Sequence, residues 1–375
     1  MSDRLNFNEI TKAPAPTWSW LRLNRAPLAA DVAAAVTTMR VSGADGAEIA
    51  FDADTFARYE KDFFASAQTD TSADAKDLLS RFDAETLAVT AKGTVSRPVA
   101  VHHVAADGTS SAAKHIVRAE EGAEITVLVD YASAAEAGGF QAVRTLLHAK
   151  ARAKIHLVKV QLLGAGFTQV DGTVALAEEG AEIRVTQVAL GGLRAFIDTT
   201  CTLAGFQSKC GSDTAYYCRG GQTLDMNYAV LHRGARTDTQ MSVRGVVDGR
   251  ATKIYRGTID FRRGCAGATG SEQEETLLLS PNAVNKSIPV MLCDEEDVSG
   301  SHGATIGRLG ADELFYMQSR GISEEAAKAM MSRAKIAGIA RRIPDPALVA
   351  EIEAFLDRAD ADKTRALCSY PHRKN

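Results

Sequence analysis

The chain has 375 residues, of which 45% are apolar and 24% are charged, so it can bury a core of ordinary size. Because typical domains contain about 100–200 residues, we expect two or three units, or one elongated strand-rich body with appended helices. The net charge is −4 and no block of five or more basic residues occurs. Nucleic acid and anionic membranes are therefore disfavoured as main partners.

Residues 1–95 are predicted to form a mostly helical N-terminal region. Residues 31–39, 55–64 and 73–87 have the alanine content or apolar spacing of helices, and residues 47–51 are typical of a short strand. The region would cover one end of the core or dock a partner, and both alternatives stay open here. Its first residues lack the apolar run of a signal peptide, and no 18-residue apolar stretch follows, so we expect a cytoplasmic protein.

Residues 96–306 show short strands broken by glycine and polar turns. Three buried strands start at equivalent points, Ile125, Ile155 and Ile183, which are separated by 30 and 28 residues. A period of this length is typical of a solenoid, because each coil buries its apolar edge on its neighbours. Helices fit poorly between these strands, except within residues 133–150. The pattern favours a parallel β-helix, with a β-sandwich or Greek-key barrel as the alternative.

Residues 307–375 are predicted to form a C-terminal helical region. Gly321 suits the left-handed residue just past a helix end, and Ser323 can cap the next helix. The paired Met330 and Met331 suit either an adaptable docking surface or an ordinary core. A third helix is predicted to start near Pro346.

The sequence lacks the motifs of common catalytic and nucleotide-binding sites. There is no phosphate-binding G-x-x-x-x-G-K-[ST] loop, no G-x-S-x-G elbow and no H-E-x-x-H helix. We therefore expect no enzymatic activity in this chain and no bound nucleotide. Any ATP used in its function would be hydrolysed by a partner.

The remaining groups with distinctive chemistry are thiols and imidazoles. No two of the six cysteines have C-x-x-C spacing, so free thiols are expected in a reducing compartment. Cys210 and Cys218 are eight residues apart and are predicted to meet at one end of adjacent strands. Cys293 follows an apolar run and suits a small buried hydrophobe, and His302 lies between glycines. Each of these has a purely structural alternative.

The sequence resembles the SufB/SufD family of iron–sulfur cluster assembly proteins, because five motifs occur in the order and at the spacing found in that family. They are Ile288-Pro289-Val290, Asp297-Val298, His302-Gly303-Ala304-Thr305, Leu314-Phe315-Tyr316 and Arg320-Gly321-Ile322. The resemblance covers roughly residues 100–360. It implies a mainly β fold, a right-handed parallel β-helix with helical N- and C-terminal regions, whose last coils pair with another subunit. It also implies that the C-terminal helices dock the SufC ATPase.

Within the family, the resemblance is to the D-type subunit. The B-type scaffold has a cysteine and a glutamate at positions that hold Glu274 and Gly303 here. The D-type subunit has a histidine at the position of His302, at its interface with SufB. Some D-type relatives also have a cysteine two residues earlier, where this chain has Gly300.

The first hypothesis is therefore a SufD-like subunit that joins a SufB scaffold and a SufC ATPase and passes clusters to apoproteins. His302 would bind iron of a transient iron–sulfur cluster shared with SufB, or transfer a proton. The residues expected to dock the ATPase are Phe315, Tyr316, Arg320, Gly321, Ile322, Met330 and Met331.

Two alternatives stay open. The chain is a self-pairing SufB-like scaffold of a minimal system, with thiols drawn from Cys293, Cys265, Cys210 and Cys218. Otherwise it is a carbohydrate-binding or carbohydrate-active β-helix, which the low aromatic content of 6% disfavours.

Overall fold

A computed structural model describes residues 3–14, 23–43, 45–67 and 73–368. The strands are β1 Asp3–Lys12, β2 Arg25–Val32, β3 Met39–Ser42, β4 Ala47–Ala50, β5 Glu85–Ala91, β6 Val99–Ala105, β7 Thr109–Ala119, β8 Glu124–Ser133, β9 Gly138–Ala149, β10 Lys154–Leu162, β11 Gly166–Ala177, β12 Glu182–Ala189, β13 Arg194–Leu203, β14 Lys209–Cys218, β15 Thr223–His232, β16 Asp238–Val247, β17 Thr252–Phe261, β18 Ala268–Leu278, β19 Val284–Cys293 and β20 Val298–Arg308. The helices are α1 Ala53–Ala67, α2 Ala73–Ser80, α3 Ala311–Ser319, α4 Glu324–Ala340 and α5 Pro346–Cys368.

Strands from β5 onward alternate between two nine-stranded sheets, which together form a β-solenoid of about eight turns. Sheet A runs β20-β18-β16-β14-β12-β10-β8-β6-β3, and sheet B runs β19-β17-β15-β13-β11-β9-β7-β5-β4. Pairing within each sheet is parallel except at β3 and β4. The predicted β-helix is confirmed, and the β-sandwich alternative is wrong. The division of the chain at residues 95 and 306 stays a prediction.

The predicted repeat is confirmed by the strand register. Ile155 pairs with Ile125 on one side and with Ile183 on the other, and all three side chains are buried inside the solenoid. Stacking like residues in this way removes apolar surface from water in every coil, which stabilises by about 25 cal/mol per Å². In the interior between the sheets, aliphatic side chains at equivalent positions of successive coils therefore stack on one another.

One turn shape recurs where each strand of sheet B leads into the next strand of sheet A. Gly122, Arg152 and Gly180 occupy the same place in three successive turns and all have left-handed φ angles, of 68°, 59° and 63°. Each backbone N–H donates to a carbonyl of the following coil, such as Arg152 to Glu179. The similar sequences before Ile125 and Ile183 thus reflect one stacked turn that requires a left-handed residue.

The prediction that residues 1–95 are mostly helical is wrong. Strands β1 and β2 form an antiparallel hairpin that packs on sheet B, and only α1 and α2 are helical among the described residues. In β2 the buried residues alternate, with Ala26, Leu28, Ala30 and Val32 facing inward. The helix predicted at residues 31–39 is instead the end of β2, an irregular segment and the first residue of β3, so its alanine content did not decide the structure. The helix considered within residues 133–150 is likewise strand β9.

The predicted C-terminal helices are confirmed. Gly321 has φ +82° between α3 and α4, and the Ser323 side chain accepts a hydrogen bond from the Ala326 N–H. Helix α4 packs on β12, β14 and β16 of sheet A, with Ile336 and Ile339 buried. In the described part of the chain, no helix combines the length and the apolar character needed to cross a bilayer.

Charged groups are also buried inside the solenoid. Lys159 of β10 and Asp171 of β11 are 0% and 1% exposed, with Nζ 2.5 Å from the carboxylate oxygen Oδ1. Nζ also donates to the Thr173 hydroxyl at 2.8 Å. Burial lowers the pKa of Lys159. The pair links the two sheets across the core.

Replacing Lys159 by Ala is expected to destabilise the fold by about 3–5 kcal/mol, because it leaves the Asp171 carboxylate buried without its cation. Chemical denaturation measures this loss. The matched control is Lys154→Ala, whose exposed ammonium lies 3.6 Å from Glu124 and is expected to contribute less than about 1 kcal/mol. Equal losses in the two variants would show that the buried pair has no special role.

Candidate functional site

The candidate site is the C-terminal end of the solenoid, where both sheets stop. Strand β20 pairs with β18 and β19 pairs with β17, and these are the last strands of the two sheets. The side chains of residues 299–306 are exposed, and Ile306 is 52% exposed. A long strand with unpaired backbone groups on one side is a template for strand pairing or end-to-end packing. We name β19 and β20 the terminal coil.

His302 lies in the middle of β20 and is exposed. Its register partner is Glu272 of β18, so the two positions share the sheet face that turns toward the solenoid interior. Glu272 is 3% exposed, and burial raises its pKa to about 7. At neutral pH this carboxyl group is thus poised between its acid and base forms. His302 therefore lies at the open end of the solenoid interior, and Glu272 lies one strand further inside.

A second buried charge cluster lies beside Glu272. Lys253 of β17 forms an ion pair with Glu274 of β18, and the two side chains are 0% and 3% exposed. The Thr276 hydroxyl donates to Glu274 at 3.1 Å and hydrogen-bonds the Tyr216 hydroxyl at 2.8 Å. Burial lowers the pKa of Lys253, and the Glu274 carboxylate opposes this effect.

The cluster therefore holds two carboxyl groups and one ammonium in the last fully covered coil. Lys253 Nζ also lies 3.4 Å from Ser287 Oγ, which belongs to the terminal coil itself. Gly257 creates the space, because a Cβ at that position would overlap the Glu272 carboxylate. The Glu272 carboxyl group, whose pKa burial raises to about 7, can exchange a proton close to neutral pH next to an open face.

Glu274 and Gly300 are the two positions at which the sequence resemblance implies a cysteine in other subunits of the SufB/SufD kind. Glu274 is held by Lys253 inside the solenoid, so its oxygens are already engaged. A Cβ at Gly300 would overlap Met291 Sδ, so the methionine fills the space beside that position. A Cβ added at Gly303 would meet no atom within 4 Å, so the structure leaves room for a side chain there.

The structure separates the cysteines. The prediction that Cys210 and Cys218 meet at one end of adjacent strands is wrong, because both lie in β14, near its two ends. Both are buried, and burial raises the pKa of Cys218 to about 12. A neutral buried thiol is a poor nucleophile and a poor ligand. Cys210 instead lies beside Cys201 in the core.

Cys265 and Cys293 lie at the same end of the solenoid as His302. Cys265 is in the turn after β17, and burial followed by the Glu295 carboxylate raises its pKa to about 11. Cys293 ends β19 and is exposed, with Sγ donating to the Glu295 carbonyl at 3.1 Å. The expectation of a buried Cys293 is wrong, because no further coil covers the end of β19 in the described chain.

The described side chains form no group of three or more His, Cys, Asp or Glu residues arranged to hold a metal ion. His302 therefore has no complete set of co-ligands within the described part of its own chain. The sequence motifs pointed to His302 but not to Lys253 or Glu272. Their only sequence signal is charge at inward positions of strands β17 and β18, which becomes visible once the register is known.

The helical residues expected to dock a partner are mostly exposed. Phe315 and Tyr316 of α3 are 73% and 60% exposed, and α3 buries no residue. Arg320 lies over the Tyr316 ring with its Cζ 5.3 Å from the ring centroid. Met330 is 52% exposed, whereas Met331 packs partly against the core cluster beneath α4. Gly321 is exposed and Ile322 half-buried.

Comparison with known proteins identifies the family. Residues 102–335 match the family model described as SUF system FeS cluster assembly, SufBD core domain. The chain is similar to the iron–sulfur cluster assembly protein SufD of Bacillus subtilis (strain 168), with 26% identity over 161 residues, 43% of this chain and 37% of that protein.

Two further relatives carry the SufBD family name. One, from Mycobacterium leprae, is 30% identical over 124 residues, 33% of this chain and 14% of that protein. Another, from Staphylococcus epidermidis, is 27% identical over 144 residues, 38% of this chain and 31% of that protein. The matches thus span less than two fifths of each relative's length.

The raised pKa of Glu272 makes stability depend on pH. Between its ordinary value of 4.5 and about 7, the folded protein retains a proton that the unfolded chain releases. The free energy of unfolding therefore falls as pH rises through this window and levels off above it. Glu272→Gln is expected to remove up to about 3 kcal/mol of that fall, measured by denaturation at pH 5 and pH 8.

The control is Glu275→Gln on the outer face of the same strand. A hydrogen bond from Lys335 lowers the pKa of Glu275. The ionised Glu275 therefore stabilises the folded protein at pH values above the ordinary glutamate pKa, and this stabilisation is lost only at more acidic pH. This variant should keep the wild-type pH 5 to pH 8 difference. An unchanged difference in Glu272→Gln would place its pKa near the ordinary value.

Thiol alkylation should distinguish the cysteines. In a Cys368→Ser background, iodoacetamide is expected to modify Cys293 at least about tenfold faster than the four buried thiols, because only Cys293 is exposed. Time-resolved peptide mass spectrometry gives the rates. Cys293→Ser is the control for assignment, and rapid labelling of Cys265 would contradict the buried turn.

Proposed function

The chain belongs to the SufB/SufD family of iron–sulfur cluster assembly proteins, and on that premise we propose that it is a SufD-like, non-ATPase subunit of the assembly complex. It pairs through its terminal coil with a SufB scaffold and through its C-terminal helices with a SufC ATPase. The complex builds clusters and transfers them to apoprotein acceptors. The cluster is its cargo, shared transiently at the interface.

The observation that carries this proposal is the open terminal coil. Its exposed strand β20 presents His302 directly above the buried Glu272. An apolar residue of the same strand, Ile306, is 52% exposed and would be covered by a partner. The incomplete ligand set around His302 supports a site that a second subunit completes.

His302 contributes one imidazole to that shared site. A neutral imidazole can replace thiolate on the iron of a cluster, and the partner would supply the remaining ligands. Sulfide chemistry at iron also requires protons, and the Glu272 carboxyl beneath His302 exchanges one near neutral pH. The ion pair between Lys253 and Glu274 keeps this end of the interior polar, with the charge of each group balanced by the other.

The exposed aromatic surface of α3 supports the ATPase contact. A short helix that buries none of its own residues and exposes Phe315 and Tyr316 has the composition of an interface core. Met330 of α4 adds an adaptable apolar side chain. Since the chain lacks a phosphate-binding loop, the nucleotide chemistry belongs to the partner.

A second candidate is the self-pairing scaffold. The exposed Cys293 favours it, because a two-fold copy would bring a second thiol to the same end of the solenoid. Cys265 lies next to that position but is protonated and buried at neutral pH. The SufBD match favours either assembly role over the carbohydrate alternative.

Anaerobic co-expression with SufB and SufC, followed by pull-down and visible absorption, tests the first proposal. His302→Ala should preserve the three-component complex but lower the cluster absorbance several-fold, because one ligand or proton donor is lost. The matched control Ser301→Ala, on the same exposed strand, should resemble the wild type.

The double variant Phe315→Ala/Tyr316→Ala should show the opposite pattern. It should lose SufC by at least about tenfold in affinity and keep SufB, because these side chains lie on α3 and not on the terminal coil. The first proposal would be contradicted if the chain purified alone as a two-fold symmetric dimer with a stable cluster that is lost in Cys293→Ser. That result would support the self-pairing scaffold instead.

A further inference from the structure

The outer face of sheet A carries a polar pocket beside the end of α4, on the opposite face of the sheet from the interior cluster. Its volume is about 380 Å³, and its main lining residues are Arg184, Asp213, Gln240, Ser242, Arg244 and Arg342. These strand residues come from β12, β14 and β16, Ser271 and Gln273 of β18 also line the pocket, and Arg342 follows α4. We name it the arginine pocket.

Strand register brings the polar groups together. Arg184 pairs with Gly211, which pairs with Gln240, so these outward positions form one row across three strands. Asp213 pairs with Ser242 in the adjacent row. The absence of a side chain at Gly211 lets the Arg184 guanidinium lie over the sheet, 3.8 Å from where a Cβ would stand.

The pocket has an excess of positive charge. Asp213 is 6% exposed and accepts hydrogen bonds or ion pairs from both Arg184, at 3.2 Å, and Arg342. Arg244 lies 3.5 Å from Glu275, which Lys335 also contacts at 2.7 Å. Four cationic groups thus share two carboxylates, which leaves two positive charges uncompensated within the cluster.

One donor in the pocket has no acceptor. Nε of Arg244 is buried and makes no hydrogen bond within the described part of the chain. A buried donor without a partner costs about 1–3 kcal/mol, so the protein alone does not satisfy all the hydrogen-bonding groups of this guanidinium. The hydroxyl of Ser242 and the amide of Gln240 line the same space and add neutral donors.

We propose that the arginine pocket binds a phosphate group. A phosphate dianion matches the two uncompensated charges, and guanidinium groups bind phosphate oxygens in paired hydrogen bonds. A carboxylate would neutralise one charge only. Because Arg342 follows α4 while Arg184 and Arg244 belong to the solenoid, the bound phosphate fastens the end of α4 to sheet A.

Calorimetric titration of the full chain at constant ionic strength tests this site, with inorganic phosphate, ADP and acetate as separate probes. Phosphate should bind and acetate should bind at least about tenfold more weakly, since it carries one charge. Tighter binding of ADP than of inorganic phosphate would identify a nucleotide as the source of the phosphate group. Equal binding of phosphate and acetate would overturn the proposal.

Arg244→Gln and Arg342→Gln should each weaken phosphate binding at least about tenfold, because each removes a charged donor. Arg97→Gln, an exposed arginine in the turn before β6, should leave it unchanged. Circular dichroism verifies folding of each variant. Ser242→Asp is the second test, because it adds a carboxylate at an outward position and should abolish binding.

Hydrogen exchange gives an independent readout. Phosphate should slow exchange in residues 324–340 of α4 in the wild type and not in Arg342→Gln. Binding without any change in α4 exchange, or binding retained in both arginine variants, would contradict the arginine pocket as the site.

Discussion

The structure depends on one constraint: every coil of the solenoid must have its strands hydrogen-bonded to a coil on each side. In-register parallel pairing satisfies this for β8 to β18, and antiparallel β3 and β4 add a strand to each sheet at the N-terminal end. The terminal coil has neighbours on one side in the described chain. Its unpaired edge is the reason that the candidate site lies there and not at an enclosed pocket.

Charged residues interrupt this stacking at two places. Aliphatic residues stack well on themselves, as Ile125, Ile155 and Ile183 do. Lys159 and Asp171 are buried in the middle of the solenoid, and Lys253, Glu272 and Glu274 are buried beneath the terminal coil. Buried charge weakens the core unless it is paired, so a cluster with one cation for two carboxyl groups costs stability. This cluster lies directly beneath the terminal coil, where the proposed function places the shared site.

Two kinds of feature could be predicted from the sequence: the repeat of the solenoid and the ends of the C-terminal helices. The 28- and 30-residue spacing of Ile125, Ile155 and Ile183 identified the solenoid, and Gly321 marked a helix end. The alanine-rich residues 31–39 were predicted as a helix, but they form the end of β2 and the segment that leads into β3, because pairing and burial in a sheet are tertiary properties. Lys253 and Glu274 are 21 residues apart and meet only after the coils stack. Exposure of Cys293 likewise depends on β19 being the last strand of its sheet.

Strand β18 connects the helical surface to the terminal site. On its outer face, Glu275 holds Lys335 of α4 at 2.7 Å. On its inner face, Glu274 forms an ion pair with Lys253, and Glu272 lies beneath His302. Because successive residues of a strand point to opposite faces, a displacement of α4 acts on the backbone that positions both carboxyl groups. In the proposed complex, an ATPase bound to these helices would therefore be connected to Glu272 through a single strand, β18.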